Sequence, residues 1–171
     1  MKLIEALKKI EELTKKAEDI RCKIGDHSAH LNIETPVYEN QANQVDSWLK
    51  MHQDVLNEIL RLRFCIQRTN LATMVDVDLG DMTVTKSIAE WIWRRRELAR
   101  IEAKAWKQLT DKGLKEGVVQ TSQGTTAREI KVVRCYNPEV RDKMIDILTS
   151  EPSRIDARLE STNAVTDLIE N

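Results

Sequence analysis

Apolar residues recur at steps of three and four over most of this chain, and that period confines it to helices that each bury one stripe. Over 2–31 the stripe is Leu3, Leu7, Ile10, Leu13, Ala17, Ile20 and Ile24, with Glu5–Lys9, Glu11–Lys15 and Glu12–Lys16 supporting the helix at i,i+4. The stretch LNIETPVYEN breaks the pattern at Pro36. A second helix is expected over 40–73, with Val45, Leu49, His52, Leu56, Ile59, Leu62 and Ile66 in its seam.

VDVDLGDMTVT reads as a turn around Gly80, and Thr83 or Thr85 then caps a third helix over 85–111. Its seam is Ile88, Trp91, Arg95, Leu98, Ile101, Ala105 and Leu109, which sets a charged Arg95 among apolar neighbours. Asn137 as cap and Pro138 at the first position open a fourth helix over 137–170, with Ile155, Leu159, Thr162, Thr166 and Ile169 along its later seam. Pro152 is expected to kink or divide that helix.

Residues 118–136 differ in character. Val118-Val119-Gln120 and Ile130-Lys131-Val132-Val133-Arg134-Cys135-Tyr136 are rich in β-formers and flank TSQGTTARE, so a short β-hairpin is expected. Its tip, Ser122-Gln123-Gly124-Thr125-Thr126, is a turn that can also cradle an anion. The fold expected is mainly α: a single helical domain over 1–171, a long-helix antiparallel bundle or coiled coil with a short β-hairpin before the last helix. With 5 Gly and 3 Pro, little breaks such rods. Rods of ~40 Å leave stripes that one protomer does not cover, so a homo-oligomer is expected.

The chain carries 32% charged residues yet a net charge of −1, which gives no pull toward DNA, RNA or an anionic membrane. No apolar run approaches the ~18 residues that span a bilayer, and MKLIEALKKIEELTKK lacks the apolar core of a secretion signal. A cytoplasmic protein is expected, with Cys22, Cys65 and Cys135 as free thiols.

Two helix ends share one pattern. Ile66-Gln67-Arg68-Thr69-Asn70-Leu71-Ala72-Thr73 and Leu159-Glu160-Ser161-Thr162-Asn163-Ala164-Val165-Thr166 both read apolar-x-x-Thr-Asn-x-x-Thr. Read as function, Thr69, Asn70, Thr73, Thr162, Asn163 and Thr166 line a polar pocket whose amides and hydroxyls recognise a base or ribose. Arg68, Arg95, Lys131 and Arg134 then supply charge for phosphate, and Trp91, with Trp93, stacks on a flat ligand. Read as structure, Thr and Asn end helices by competing for backbone hydrogen bonds, a seam Asn fixes register, and Arg95 enters an ion pair.

No catalytic pair, Walker loop or Gly-x-Gly-x-x-Gly is present, so neither an enzyme nor a cofactor is expected. Cys22, Asp26 and His30 fall at i+4 steps, but no second cluster completes a metal-ligand set, and no metal is expected.

The opening Met-Lys-Leu-Ile-Glu-Ala-Leu, Arg68-Thr69-Asn70-x-x-Thr73, Thr83-Val84-Thr85-x-x-Ile88-Ala89, Arg128-Glu129-Ile130-Lys131 and Asn163-x-x-Thr166 follow one another in an order that resembles the septicolysin family of bacterial and phage proteins. The chain departs from that resemblance at Glu90-Trp91-Ile92-Trp93, where more charge is expected. The resemblance implies a helical coiled-coil protein without an established catalytic activity. The function expected is a non-enzymatic, oligomeric binder of a small ligand, in its most concrete form a phage-type sponge that sequesters a nucleotide-derived immune signal. The alternative is a structural or adaptor coiled coil that binds protein partners.

Overall fold

A computed structural model describes residues 1–80, 82–120 and 127–170. The architecture is mainly helical with two two-stranded sheets. In chain order the elements are α1 (Leu3–His27), α2 (Gln41–Ala72), β1 (Met74–Asp78), β2 (Thr83–Ser87), α3 (Ile88–Trp93), a π-helical segment (Arg94–Leu98), α4 (Ala99–Lys107), β3 (Gly117–Gln120), β4 (Ala127–Ile130) and α5 (Pro138–Val165). Among the described residues no helix is long and apolar enough to cross a membrane.

The chain forms two compact units: one of Met1–Val75, Ser87–Ala89 and Leu159–Asn171, the other of Asp76–Lys86 and Glu90–Arg158. In the first, α1 and α2 run antiparallel. Gln41, at the start of α2, donates to the His27 carbonyl at the end of α1 at 2.9 Å, and Lys9 pairs with Glu58 at 3.2 Å. Between them lies a core of Ala17, Ile20, Trp48, Val55 and Ile59, with Ile10, Leu13, Ile24 and Val45 against it. The connection at 28–40 is held by the rings of His27, Tyr38 and Trp48, whose centroids are 5.3–5.4 Å apart. Asn40 caps α2 by accepting from the Asn43 amide at 3.1 Å.

The α2 seam is shifted from the expected one at its first half: Trp48 and Val55 are buried, whereas Leu49 and Leu56 are exposed. α2 carries apolar residues on two faces, so the i+3/i+4 rule has two solutions there. The choice falls to the face where the large Trp48 ring packs in one cluster with the small Ala17 of α1.

VDVDLGDMTVT is a β-hairpin rather than a plain turn, and Thr85 lies in a strand rather than capping a helix. Val75 and Val77 alternate with exposed residues, the period of a half-buried strand. At its bend Gly80 takes φ +103°, and its amide donates to the Asp78 carboxylate at 2.8 Å. The Thr85 hydroxyl donates to Asp76 at 2.5 Å.

The expected third helix contains one π turn over Arg94–Leu98. Its extra residue rotates everything after it, so the buried stripe runs Ile88, Trp91, Ala99, Ala103, while Leu98 and Ile101 face outward. The second sheet is antiparallel, from Gly117↔Ile130 to Gln120↔Ala127. Its second strand thus ends where the expected one began, and the expected anion-cradling tip at 122–126 lies outside the described residues. α5 opens as expected, with Asn137 accepting from the Glu139 amide at 2.9 Å, and runs on through Pro152 without dividing.

Candidate functional site

The two Thr-Asn ends both belong to the first unit, and each is built the same way. The amide of the last Thr closes a turn onto the carbonyl of the first: Thr73 to Thr69 and Thr166 to Thr162, both at 2.9 Å. The carbonyl of that last Thr then receives the first amide of another helix. Ile88, the first residue of α3, donates to Thr73 at 3.0 Å; Leu3, the first residue of α1, donates to Thr166 at 2.9 Å. A helix N-terminus has orphan amides, and a helix C-terminus orphan carbonyls, so each junction satisfies one of both.

The ends also meet. The Thr69 hydroxyl, fully buried, donates to the Cys65 carbonyl at 2.8 Å and accepts the Ile169 amide at 2.9 Å, three residues beyond Thr166. The Thr166 hydroxyl donates to Thr162 at 2.8 Å. Around Thr166, Lys2 bridges Asp167 at 2.9 Å and the Val165 carbonyl at 2.8 Å, while Leu168 donates to the Met1 carbonyl at 2.8 Å.

Asn70 and Asn163 occupy equivalent places, one residue after the first Thr. The Oδ1 atom of each is shielded from solvent and has no hydrogen-bond partner among the described residues. Nearly all buried polar atoms in proteins are paired, so two such oxygens at equivalent positions are the least satisfied feature of this region.

Arg68, two residues before Asn70 on α2, is exposed. The remaining expected site residues lie in the second unit with surroundings of their own. Trp91 is fully buried and offers no face for stacking; Trp93 is the exposed member of the pair. Arg95 turns onto Asp156. Lys131, exposed, approaches Glu129 at 3.2 Å. Arg134 grips both oxygens of Asp111 at 2.7 and 2.8 Å, and Tyr136 donates to the same carboxylate at 3.1 Å, which holds Asp111 below the usual carboxylate range. Beside Arg134 lies a cavity of about 270 Å³ lined also by Leu109, Leu114, Val132 and Tyr136, at the small end for a ligand site.

Sequence reasoning missed the arginine that matters most to the core. Arg94, not Arg95, holds the buried Glu151 with bonds of 2.6 and 3.0 Å, and it also pairs with Glu102 at 2.5 Å. Those carboxylates, Glu151 first, raise the Arg94 pKa against its burial. Arg94 lies three residues after the buried Trp91 and opens the π turn, which leaves no simple mark in the residue pattern. Among the described residues no three His, Cys, Asp or Glu are grouped to hold a metal ion. Cys22 and Cys135 are exposed thiols and Cys65 a buried one.

These features define a mainly helical protein whose helix ends are joined by repeated Thr-Asn elements. The chain belongs to the family of unknown function DUF6847, whose model matches residues 10–168. It is similar in fold to the crystal structure of a functionally unknown conserved protein from Corynebacterium diphtheriae, with 20% identity, 99% of each chain covered and a TM-score of 0.55. No curated protein matches the sequence.

Proposed function

We propose that this chain is a non-enzymatic binding protein that self-associates through its long helices and sequesters a nucleotide-derived small molecule at its Thr-Asn ends. The observation that supports it is the equivalent pair of buried oxygens on Asn70 and Asn163, neither with a hydrogen-bond partner among the described residues. An amide carbonyl without a donor costs about 1–3 kcal/mol. A chain that carries that cost twice, at equivalent positions, has acceptors ready for a donor-rich partner such as the exocyclic amine of a base or a carboxamide. Since both oxygens are shielded, the side chains turn outward when ligand arrives. Arg68, exposed one residue before Thr69, supplies charge for phosphate. Thr69 and Thr166, occupied by backbone bonds, act as the frame. A cytoplasmic sponge of phage type, which holds a nucleotide immune signal without turning it over, is the concrete form of this reading.

A second reading, a structural or adaptor coiled coil, is favoured by the junctions themselves: Thr73 and Thr166 each receive a helix N-terminus and need no ligand to explain them. Isothermal titration with cyclic and ADP-ribose-type nucleotides separates the two. The binding reading expects saturable heat that Asn70→Ala and Asn163→Ala each weaken at least tenfold. No binding across the panel leaves the adaptor.

A further inference from the structure

We infer that the outer face of α2 is a two-fold self-association surface, on which a second copy of this chain docks its own α2 antiparallel, with Leu60 on the symmetry axis. α2 is 32 residues long, ~48 Å at 1.5 Å per residue, and its buried stripe is Trp48, Val55, Ile59, Leu62, Cys65 and Thr69. A second apolar stripe runs along another face. Leu49, Leu56, Leu60, Phe64 and Leu71 follow one another at steps of seven and four, and each is between 41% and 62% exposed. A helix with one apolar stripe is finished when that stripe meets the core; this one has a second that the described residues leave exposed.

The spacing of the stripe identifies the occupant. A two-fold contact between identical helices must be self-complementary, so that a residue on one side of the axis meets its mirror position. Leu49 and Leu71 lie equally far from Leu60, and so do Leu56 and Phe64. Antiparallel pairing therefore sets Leu60 on Leu60, Leu56 on Phe64 and Leu49 on Leu71 of the second copy. The exposed polar residues beside the stripe obey the same symmetry: Gln53 meets Gln67, and Asn57 meets Arg63.

Charge agrees with direction. Ahead of Leu60, α2 carries Asp46 and Asp54 against Lys50, and beyond it Arg63 and Arg68 with no acid, while Glu58 and Arg61 pair with one another. Antiparallel pairing brings unlike halves together; parallel pairing stacks like on like. The five apolar side chains expose on the order of 500 Å² together, at the upper end of what one patch on a monomer shows. With polar flanks making up the usual remainder, each copy buries ~800 Å², the size of a standard interface.

This surface deepens the oligomer part of the reading above and stands apart from its ligand part. The test therefore uses no nucleotide. Full-length protein is examined by sedimentation at tens of micromolar, beside Leu60→Glu, which brings two charges together on the axis. The wild type is expected at a multiple of the protomer mass and the variant at a lower multiple, with unchanged helical circular dichroism because Leu60 is exposed in the protomer. Cross-linking then tests the register in a Cys22→Ser, Cys135→Ser background. Leu60→Cys should oxidise to a linked dimer. Leu49→Cys should link only when mixed with Leu71→Cys. A wild type at protomer mass, a Leu60→Glu variant of unchanged mass, or Leu49→Cys linking to itself as readily as Leu60→Cys overturns the surface. Nucleotide binding by a monomeric Leu60→Glu variant, measured separately, reports on the ligand reading alone.

Discussion

Thr69 and Ile169 are joined by a single hydrogen bond, the Ile169 amide donating to the buried Thr69 hydroxyl at 2.9 Å, and that bond ties the end of α2 to the last residues of the chain. The same hydroxyl donates to the Cys65 carbonyl, so both its capacities are used. Thr69→Val keeps the shape and leaves the Ile169 amide without its acceptor. The expected loss is ~1–3 kcal/mol in urea unfolding. Thr166→Val removes only a hydroxyl bonded within its own helix and should cost less than ~1 kcal/mol. Equal losses for the two would show that Thr69 is not the tie.

Glu151 offers a sharper contrast. Its carboxylate is 1% exposed and held by Arg94. Arg94→Ala strands a buried charge and should destabilise the protein by ~3–5 kcal/mol, and Arg94→Met with Glu151→Leu should recover most of that. Arg95→Ala, at the half-exposed pair with Asp156, should change stability by less than ~1 kcal/mol. Thermal melts of the three variants beside the wild type check the order.

How far this was readable from sequence depends on the element. α1 and α2 are legible because their apolar period is long and unbroken, and α5 because Asn137-Pro138 marks its start. A count of 3.6 per turn sets Arg95 on the apolar stripe because it runs straight through residues 94–98, where the chain takes one π turn. Trp48 and Leu49 compete for the same seam, and only α1 opposite decides between them. Val75 and Val77 carried a strand signal that the acids around Gly80 masked. The Thr-Asn repeat was plain as a pattern, but that Thr73 and Thr166 would accept Ile88 and Leu3 needs the fold.

Glu58 gives a pH prediction. The Arg61 guanidinium and then the Lys9 ammonium hold its pKa down, from an ordinary 4.5 to about 2, against partial burial. Its folded pKa is below its unfolded one, so its contribution is complete above about 4.5 and is lost as pH falls through about 2. The α1–α2 pair should loosen over that window. Glu58→Gln should be less stable than wild type at neutral pH and show a smaller fall on acidification. Parallel acid curves for the two proteins would remove Glu58 from the account.

Asn70 and Asn163 make the binding proposal pay in stability. Asn70→Leu replaces an unpartnered carbonyl by an apolar group of similar size, and should raise stability by ~1–2 kcal/mol. A fall of that size instead would mean that the amide has a structural partner in the assembled protein.

The most direct measurement is native mass spectrometry of the full chain purified from cells, followed by mass analysis of small molecules released on denaturation and by challenge with a nucleotide panel. The account predicts an oligomer that takes up one nucleotide class stoichiometrically, releases it chemically unchanged, and loses it in Asn70→Ala and Asn163→Ala while keeping its mass. Failure to retain any nucleotide, or retention undiminished in both variants, would contradict it.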